Sequence, residues 1–251
     1  MDGRLGASLT SNKAHDKALR QWILVALFAI AFAWVEAAVV VYLRHIYYNG
    51  SFSFPIVVNW KDGRLVGDPL MYIEYLREAA TIIMLAAIGL AAGKKALQRF
   101  CLFIVAFGLW DIFYYIWLRV MTGWPDGLLT WDILFLLPLP WVGPVITPVA
   151  IALAMIVAGS LILYLEEKGH QIKWSWYDWC IEMTCGLIMV IAFCWDWKNI
   201  IRLPAEVPYS GIPNPFAWWL FLPSLVLSLA YFVMRLKKVL TYQVDRPKAE
   251  N

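Results

Sequence analysis

Six apolar segments constrain the fold of this chain more than any other feature of its sequence. They are residues 22–43, 70–92, 101–120, 142–165, 177–195 and 216–234. An α-helix needs about 20 mostly apolar residues to cross a bilayer, and each segment is close to that length. Only 16% of the 251 residues are charged, which is too few to cover a water-soluble surface of this size. The sequence therefore predicts an all-α polytopic membrane protein, a bundle of six transmembrane helices.

A seventh apolar run, LLTWDILFLLPLPW at residues 128–141, is too short to cross the membrane. It has 14 residues, of which two are prolines. Proline removes a backbone donor and breaks helices, and irregular backbone at membrane depth needs protein or a cavity to shelter it. We expect this run to be an interfacial or re-entrant segment.

The distribution of lysine and arginine predicts which way the helices run. With the N-terminus in the cytoplasm, the inner segments carry 14 of the 21 Lys and Arg residues, the outer segments carry 6, and Arg77 lies within the membrane. Cytoplasmic loops of membrane proteins usually carry such an excess. We expect a multi-pass protein of the cell membrane, with a cytoplasmic segment at 1–21, one membrane domain at 22–235 and a cytoplasmic tail at 236–251.

Composition and motifs exclude several classes of ligand. The net charge of +3 gives no nucleic-acid footprint. The sequence contains no GxGxxG and no GxxxxGK[ST], the motifs of dinucleotide and P-loop sites. His15, His45 and His170 all lie outside the apolar segments, which disfavours haem or a histidine-bound metal within the membrane. We therefore expect no nucleic acid, nucleotide, haem or His-ligated metal.

Tryptophan is concentrated on the predicted outer side, where the loops 44–69, 121–141 and 196–215 are long. Nine tryptophans lie at or beyond that interface: Trp60, Trp117, Trp124, Trp131, Trp141, Trp195, Trp197, Trp218 and Trp219. Aromatic belts at both interfaces are the usual pattern in membrane proteins. The excess on one side predicts a Trp-rich outer cap, or a surface on which other subunits of a membrane complex dock.

Ionisable side chains inside the apolar segments are the candidates for function. Such a group costs about 2.5–3.5 kcal/mol at the centre of a bilayer on insertion scales, so it needs a partner. Glu74, Arg77 and Glu78 are spaced i, i+3 and i+4 in the second segment, and therefore share one helical face. We expect Arg77 to contact at least one carboxylate. The candidates are Glu74, Glu78, Glu36 in the first segment and Asp111 in the third.

Three of these carboxylates have similar depths in the predicted outer half of the membrane. With a rise of about 1.5 Å per residue, Glu36 lies roughly 10 Å deep, and Glu78 and Asp111 lie roughly 12 Å deep. Tyr115 follows Asp111 by one turn, and Asp132 lies in the 128–141 run, which can fold onto the same layer. Because helices that follow one another in sequence are usually neighbours in space, we predict that Glu36, Glu78 and Asp111 converge on one polar site.

This layer allows three interpretations. It is a salt-bridge network that fixes helix register, a site for a proton, cation or small polar solute, or an active site with carboxylates as general acid and base. The interpretation as a binding site follows from the excess of carboxylates over arginine. The surplus carboxylates have to be protonated or matched by a cation. No nucleophile or metal-ligand spacing in the sequence supports a particular reaction.

Each interpretation corresponds to a class of function. A binding site indicates a site-bearing membrane protein, a salt-bridge network indicates a non-catalytic subunit of a larger complex, and an active site indicates a membrane enzyme that acts on a lipid or quinone. A water-accessible cavity at Glu78 favours the first class, a sealed and fully paired cluster favours the second, and a Trp-lined lateral opening favours the third.

Asp178 and Glu182 lie at the cytoplasmic end of the fifth segment. We expect them to form an interfacial charge site or to contact the loop 166–173.

Overall fold

The computed structural model describes residues 2–48, 69–195 and 216–244 of the chain. Within these residues the protein forms six helices and two short strands. In chain order they are α1 (Asp2–Tyr48), α2 (Pro69–Ala92), α3 (Ala96–Thr122), β1 (Trp131–Phe135), β2 (Trp141–Pro144), α4 (Ile146–Glu167), α5 (Trp176–Cys194) and α6 (Trp218–Val244).

All six helices contain a stretch that is long and apolar enough to cross a membrane. These stretches are Asp16–His45, Tyr72–Ala92, Ala96–Thr122, Ile146–Glu167, Trp176–Cys194 and Trp218–Thr241. The predicted number of membrane-length helices is therefore confirmed for the described residues. Helices α1 and α6 extend well beyond the predicted segments 22–43 and 216–234, because each helix continues into polar sequence that a count of apolar residues leaves out.

Local sequence explains where helix α3 ends and where helix α5 begins. Helix α3 is followed by Gly123, whose φ of 79° is left-handed and whose N–H donates to the Arg119 carbonyl. Glycine adopts this conformation without the steric cost of a side chain, so it is the usual residue after a helix. Helix α5 begins with a capping box, in which Ser175 and Asp178 each accept a hydrogen bond from the other's backbone N–H.

Helix α3 lies at the centre of a four-helix group, in contact with α1, α2 and α4. Glycines permit its close approach to α4. A Cβ on Gly108 would lie 2.6 Å from the Ala152 carbonyl oxygen, and a Cβ on Gly159 would lie 2.9 Å from the Cys101 carbonyl oxygen. Helices α5 and α6 pack on each other as a pair. This pair contacts β2, α4 and, through the rings of Phe100 and Trp179, α3.

The 128–141 run is not among the helical stretches that are long enough to cross a membrane, and part of it forms a strand. Strands β1 and β2 pair antiparallel, with Asp132 opposite Gly143 and Ile133 opposite Val142. The fold is mostly helical as predicted, yet the all-α description omits this hairpin. The predicted fourth segment, 142–165, also starts too early, because α4 begins at Ile146. Strand pairing satisfies backbone groups that would otherwise be costly away from water.

One face of the hairpin packs on the α5–α6 pair. Trp141 stacks on Phe193 with ring centroids 5.8 Å apart and an interplanar angle of 5°. Trp131 meets Phe216 edge to face at 6.5 Å. These aromatic residues form one core cluster with Val142 of β2. The hairpin therefore joins the four-helix group to the α5–α6 pair.

The predicted Trp-rich cap is only partly within the described residues, since Trp60 and Trp197 lie outside them. Trp124 and Trp131 are each only 8% exposed and belong to core clusters. These two tryptophans pack inside the protein and do not form a docking surface. Trp195 and Trp219 are exposed and meet edge to face with centroids 5.2 Å apart.

Candidate functional site

Arg77 on α2 joins two carboxylates, which confirms the prediction that it contacts at least one. Its Nε donates to Glu74 Oε2 at 2.8 Å, and its two terminal nitrogens contact Glu74 and Glu36. The second oxygen of Glu36 accepts a hydrogen bond from the Thr81 hydroxyl at 3.1 Å. The helical repeat places Glu74, Arg77 and Thr81 on one face of α2, and Glu36 of α1 meets that face. We call Glu36, Glu74, Arg77 and Thr81 the Arg77 group.

Glu78 follows Arg77 on α2 but binds the hairpin. It is buried, and its two oxygens accept the Leu136 backbone N–H at 2.9 and 3.1 Å. Leu136 directly follows β1, where the chain leaves the strand and its backbone N–H needs an acceptor. Glu78 thus ties α2 to the hairpin. It also lies close enough to Glu36, Glu74 and Arg77 for their charges to interact.

Asp132 on β1 is the most deeply buried carboxylate of the site, with 0% exposure. Its Oδ1 accepts from Arg44 at 2.8 Å, and its Oδ2 accepts from the Tyr115 hydroxyl at 3.3 Å. The guanidinium of Arg44 lies over the Trp124 ring, 4.7 Å from its centroid. Burial raises the pKa of Asp132 above its ordinary value, although Arg44, the Ile133 N–H and the Tyr115 hydroxyl act in the opposite direction.

Arg44 is the functional candidate that the sequence analysis missed. It was assigned to the outer loop 44–69, but α1 continues to Tyr48, so Arg44 lies on the helix and is 6% exposed. The available signal is its spacing from Glu36. Eight residues are slightly more than two helical turns, so both side chains project from one side of α1. A basic residue at that spacing after a buried glutamate indicates a second charged layer.

The convergence of Asp111 with Glu36 and Glu78 stays a prediction, and the interactions of Asp111 in the structure are with Asp132 and Tyr115. Asp111 is close enough to Asp132 for the two charges to repel, and Tyr115 interacts electrostatically with both aspartates. The Oδ2 atom of Asp111 is buried and has no hydrogen-bond partner among the described residues. We call Arg44, Asp111, Tyr115 and Asp132 the Arg44 group.

The two groups are neighbours. Tyr114 interacts electrostatically with Asp132 and Arg44 on one side and with Glu36 and Arg77 on the other. We call the two groups together with Glu78 the hairpin-side cluster. All seven residues proposed from the sequence belong to it: Glu36, Glu74, Arg77, Glu78, Asp111, Tyr115 and Asp132. The predicted single layer is therefore two adjoining groups that the hairpin holds together.

A separate polar cluster lies at the other end of the bundle, between α5 and α6. Asp178 accepts from the Tyr231 hydroxyl at 2.6 Å and from Arg235 Nη2 at 2.8 Å, in addition to the Ser175 backbone N–H and hydroxyl. Arg235 also donates to the Lys173 carbonyl at 3.4 Å. The predicted contact of Asp178 or Glu182 themselves with the loop 166–173 stays a prediction. We call Ser175, Asp178, Tyr231 and Arg235 the α5–α6 cluster.

Glu182 lies one turn beyond Asp178 on α5. Its Oε2 accepts from the Ser228 hydroxyl of α6 at 2.6 Å. Its Oε1 is buried and has no hydrogen-bond partner in the part of the chain that is described. Glu182 therefore ties α5 to α6 through one oxygen only.

Comparison of the chain with protein-family models, curated proteins and solved structures gives no match. The chemistry of the hairpin-side cluster is set by its own residues. It contains five carboxylates and two arginines within the described residues, so full ionisation would leave three negative charges unmatched in a region with little water. Desolvation disfavours the charged form of a carboxyl group, and a proton or a bound cation relieves that cost.

Proposed function

We propose that this chain is an integral membrane protein whose hairpin-side cluster binds a proton or a monovalent cation. The observation that carries this proposal is the buried Oδ2 atom of Asp111, which has no hydrogen-bond partner among the described residues and lies near a second aspartate. A buried ionised oxygen without a partner costs far more than a protonated one. A proton or a bound cation on Asp111 therefore lowers the free-energy cost of burying this oxygen.

The contacts divide the five carboxylates into two kinds. Glu36 and Glu74 contact Arg77, and Asp132 contacts Arg44. Glu78 accepts hydrogen bonds from backbone, and neither Glu78 nor Asp111 has an ion-pair partner within the described ranges. These two carboxylates are the proposed titrating groups, whereas the other three are matched by arginine.

Infrared spectroscopy of the purified protein in nanodiscs tests the proton. Protonated carboxylic acids have a carbonyl stretch that ionised carboxylates lack, so the band is followed as pH is raised. We expect the wild type to keep part of this band at neutral pH and Asp111→Asn to lose a component of it. The control is Asp178→Asn, because Asp178 accepts four hydrogen bonds, including two from Arg235 and Ser175 side chains. A band that is the same in all three proteins would contradict a proton on Asp111.

The cation is tested by thermal unfolding at constant pH in sodium, potassium or choline chloride. A ligand that binds only the folded state raises the unfolding temperature with its concentration. We expect sodium or potassium to stabilise the wild type over choline, and Asp111→Asn to abolish the difference. Absence of both the infrared component and the cation effect would refute the proposal.

The proposed orientation is in the cell membrane with both termini in the cytoplasm. It is supported by the 14 inner against 6 outer Lys and Arg residues, and it puts the hairpin on the outer side. A fluorescent protein that matures only in the cytoplasm, fused to the C-terminus, should be fluorescent, whereas a periplasmic or extracellular reporter at the same place should be inactive. The opposite result would reverse the orientation.

A second function, as a subunit of a membrane complex, is favoured by one observation. Leu128 and Leu129, just before the hairpin, are 56% and 72% exposed and lie outside the helical stretches that can cross the membrane. Exposed apolar patches often mark interaction sites. If the chain is a subunit, extraction of native membranes with a mild polymer should yield a particle much larger than this chain, and Leu129→Ser should reduce its size.

A further inference from the structure

A cavity of about 280 Å³ lies between α1, α3 and α4, at the end of the bundle away from the hairpin. It is separate from the hairpin-side cluster. Val25, Ala29 and Ala33 of α1 lie between the two regions along the helix and are almost completely buried in an apolar core. The cavity therefore has its own chemistry, which the proposed function does not use.

Part of the cavity lining is polar. The polar lining residues include Gln21, Trp22, Gln98, Ser160, Glu166 and Glu167, and Trp22 Nε1 donates to Ser160 Oγ at 3.1 Å. The Oε2 atom of Glu166 is buried and has no hydrogen-bond partner within the described residues. Buried polar atoms are nearly always hydrogen-bonded, so an unpartnered carboxylate oxygen beside a cavity indicates a missing donor.

The lining also includes the apolar side chains of Leu19, Leu102 and Leu163. Tyr164 also lines the cavity, and the Lys168 ammonium lies 5.3 Å from the centroid of its ring. Tryptophan and tyrosine are typical of the depth at which lipid headgroups meet the hydrocarbon region. A ligand that fits this lining has a positively charged group with several hydrogen-bond donors, next to apolar carbon atoms.

We propose that this cavity binds the ammonium group of an amphiphile, such as the headgroup amine of phosphatidylethanolamine. The ammonium carries three donors and one charge, which suit a lining with two glutamates, Glu166 and Glu167, and several neutral polar side chains. The volume is slightly smaller than that of most small-molecule sites, which span about 300–1,000 Å³. The cavity therefore holds a headgroup and leaves the acyl chains along the outer surface of the helices. The two methylene groups that join the ammonium to the phosphate lie against the leucines of the lining, Leu19, Leu102 and Leu163.

Native mass spectrometry of the delipidated protein tests this site. The protein in detergent is titrated with dioleoyl phosphatidylethanolamine, and with dioleoyl phosphatidylglycerol, which has the same chains but no ammonium. We expect one phosphatidylethanolamine per chain to bind more tightly than phosphatidylglycerol. Glu166→Gln keeps the shape of the side chain but removes its charge, and should weaken this binding at least tenfold, because the ammonium loses a charge-assisted hydrogen bond.

Two variants keep this test decisive. Glu182→Gln is the matched control, because Glu182 also has a buried oxygen without a described partner and is not among the residues that line the cavity. It should bind phosphatidylethanolamine as the wild type does. Ser160→Leu fills the cavity and should abolish binding while circular dichroism shows that the helices are retained. Equal affinity for the two lipids, or wild-type binding by Glu166→Gln, would overturn the proposal.

Dodecylamine distinguishes a membrane lipid from a free cationic amphiphile. It has the ammonium and an apolar chain but no phosphate. If dodecylamine displaces phosphatidylethanolamine, the site recognises any amine of this kind. If phosphatidylethanolamine binds and dodecylamine does not displace it, the ligand is a lipid headgroup whose phosphate contributes to binding. The proposed function of the hairpin-side cluster is independent of either result.

Discussion

The hairpin-side cluster and the α5–α6 cluster both bury aspartate in an apolar bundle, but they satisfy it differently. Asp178 accepts hydrogen bonds from two residues of α6, and Ser175, only three residues earlier, supplies the others. The hairpin-side cluster draws on three helices and a strand, and still leaves Asp111 Oδ2 without a described partner. A buried charge with a full set of donors stabilises packing, whereas an incomplete set has capacity left for a ligand.

The largest expected difference between the two clusters comes from removing their arginines. Arg77→Ala leaves Glu36 and Glu74 buried without a cation, and breaking such a pair typically costs about 3–5 kcal/mol. Arg235→Ala should cost clearly less, because Asp178 keeps its bonds from Ser175 and Tyr231. The free energy of unfolding is measured in mixed micelles as the fraction of a denaturing detergent is raised.

Arg77→Lys sharpens this comparison. Lysine keeps the charge but lacks the planar fork with which Arg77 reaches both oxygens of Glu74. We expect its stability to lie between that of the wild type and that of Arg77→Ala. If Arg77→Ala and Arg235→Ala lost equal stability, the two clusters would be equivalent structural ion pairs.

Glu78 offers a test of intermediate size. Glu78→Ala leaves the Leu136 N–H without its acceptor, at a cost of about 1–3 kcal/mol. Glu78→Gln keeps an oxygen acceptor and resembles the protonated acid that we propose, so its stability should stay within about 1 kcal/mol of the wild type. The same unfolding assay separates the two variants. If Glu78→Gln were as unstable as Glu78→Ala, an ionised Glu78 would be part of the structural network.

The smallest expected effect comes from the tyrosine hydroxyl groups. Tyr115→Phe removes a 3.3 Å hydrogen bond to Asp132 and should cost about 0.5–1 kcal/mol. Tyr231→Phe removes a 2.6 Å hydrogen bond to Asp178 and should cost more, because hydrogen bonds weaken as they lengthen. Unfolding of the two variants side by side measures the difference. A larger loss for Tyr115→Phe would show that the Arg44 group depends on its tyrosine more than the α5–α6 cluster does.

The membrane-length helices and the pairing of Arg77 with Glu74 could be predicted, because each depends on a short stretch of sequence. A run of apolar residues sets the span, and the helical repeat places Glu74 beside Arg77. The hairpin could not be predicted in this way. Residues 131–135, WDILF, are apolar with one aspartate and lack the alternation that identifies a half-buried strand, since both faces are covered by other parts of the protein.

Arg44 was missed for a related reason. Counting apolar residues ended the first segment at Leu43, but the helix continues to Tyr48. Its partner, Asp132, is 88 residues away in sequence. No local pattern links two residues so far apart, and the pairing depends on the hairpin returning to the end of α1.

The hairpin also sets the order in which the chain can be assembled during synthesis. Its polar contacts, to Arg44 and Glu78, join it to helices that are made before it. Its aromatic contacts, to Phe193 and Phe216, wait for residues made up to 85 positions later than Trp131. Because domains fold from the N-terminus as they are made, the polar contacts of Asp132 with the four-helix group can form first. Phe193 can cover Trp141 once α5 is made, but Trp131 stays uncovered until Phe216 has been synthesised. Apolar surface that is exposed during this interval favours misfolding and aggregation.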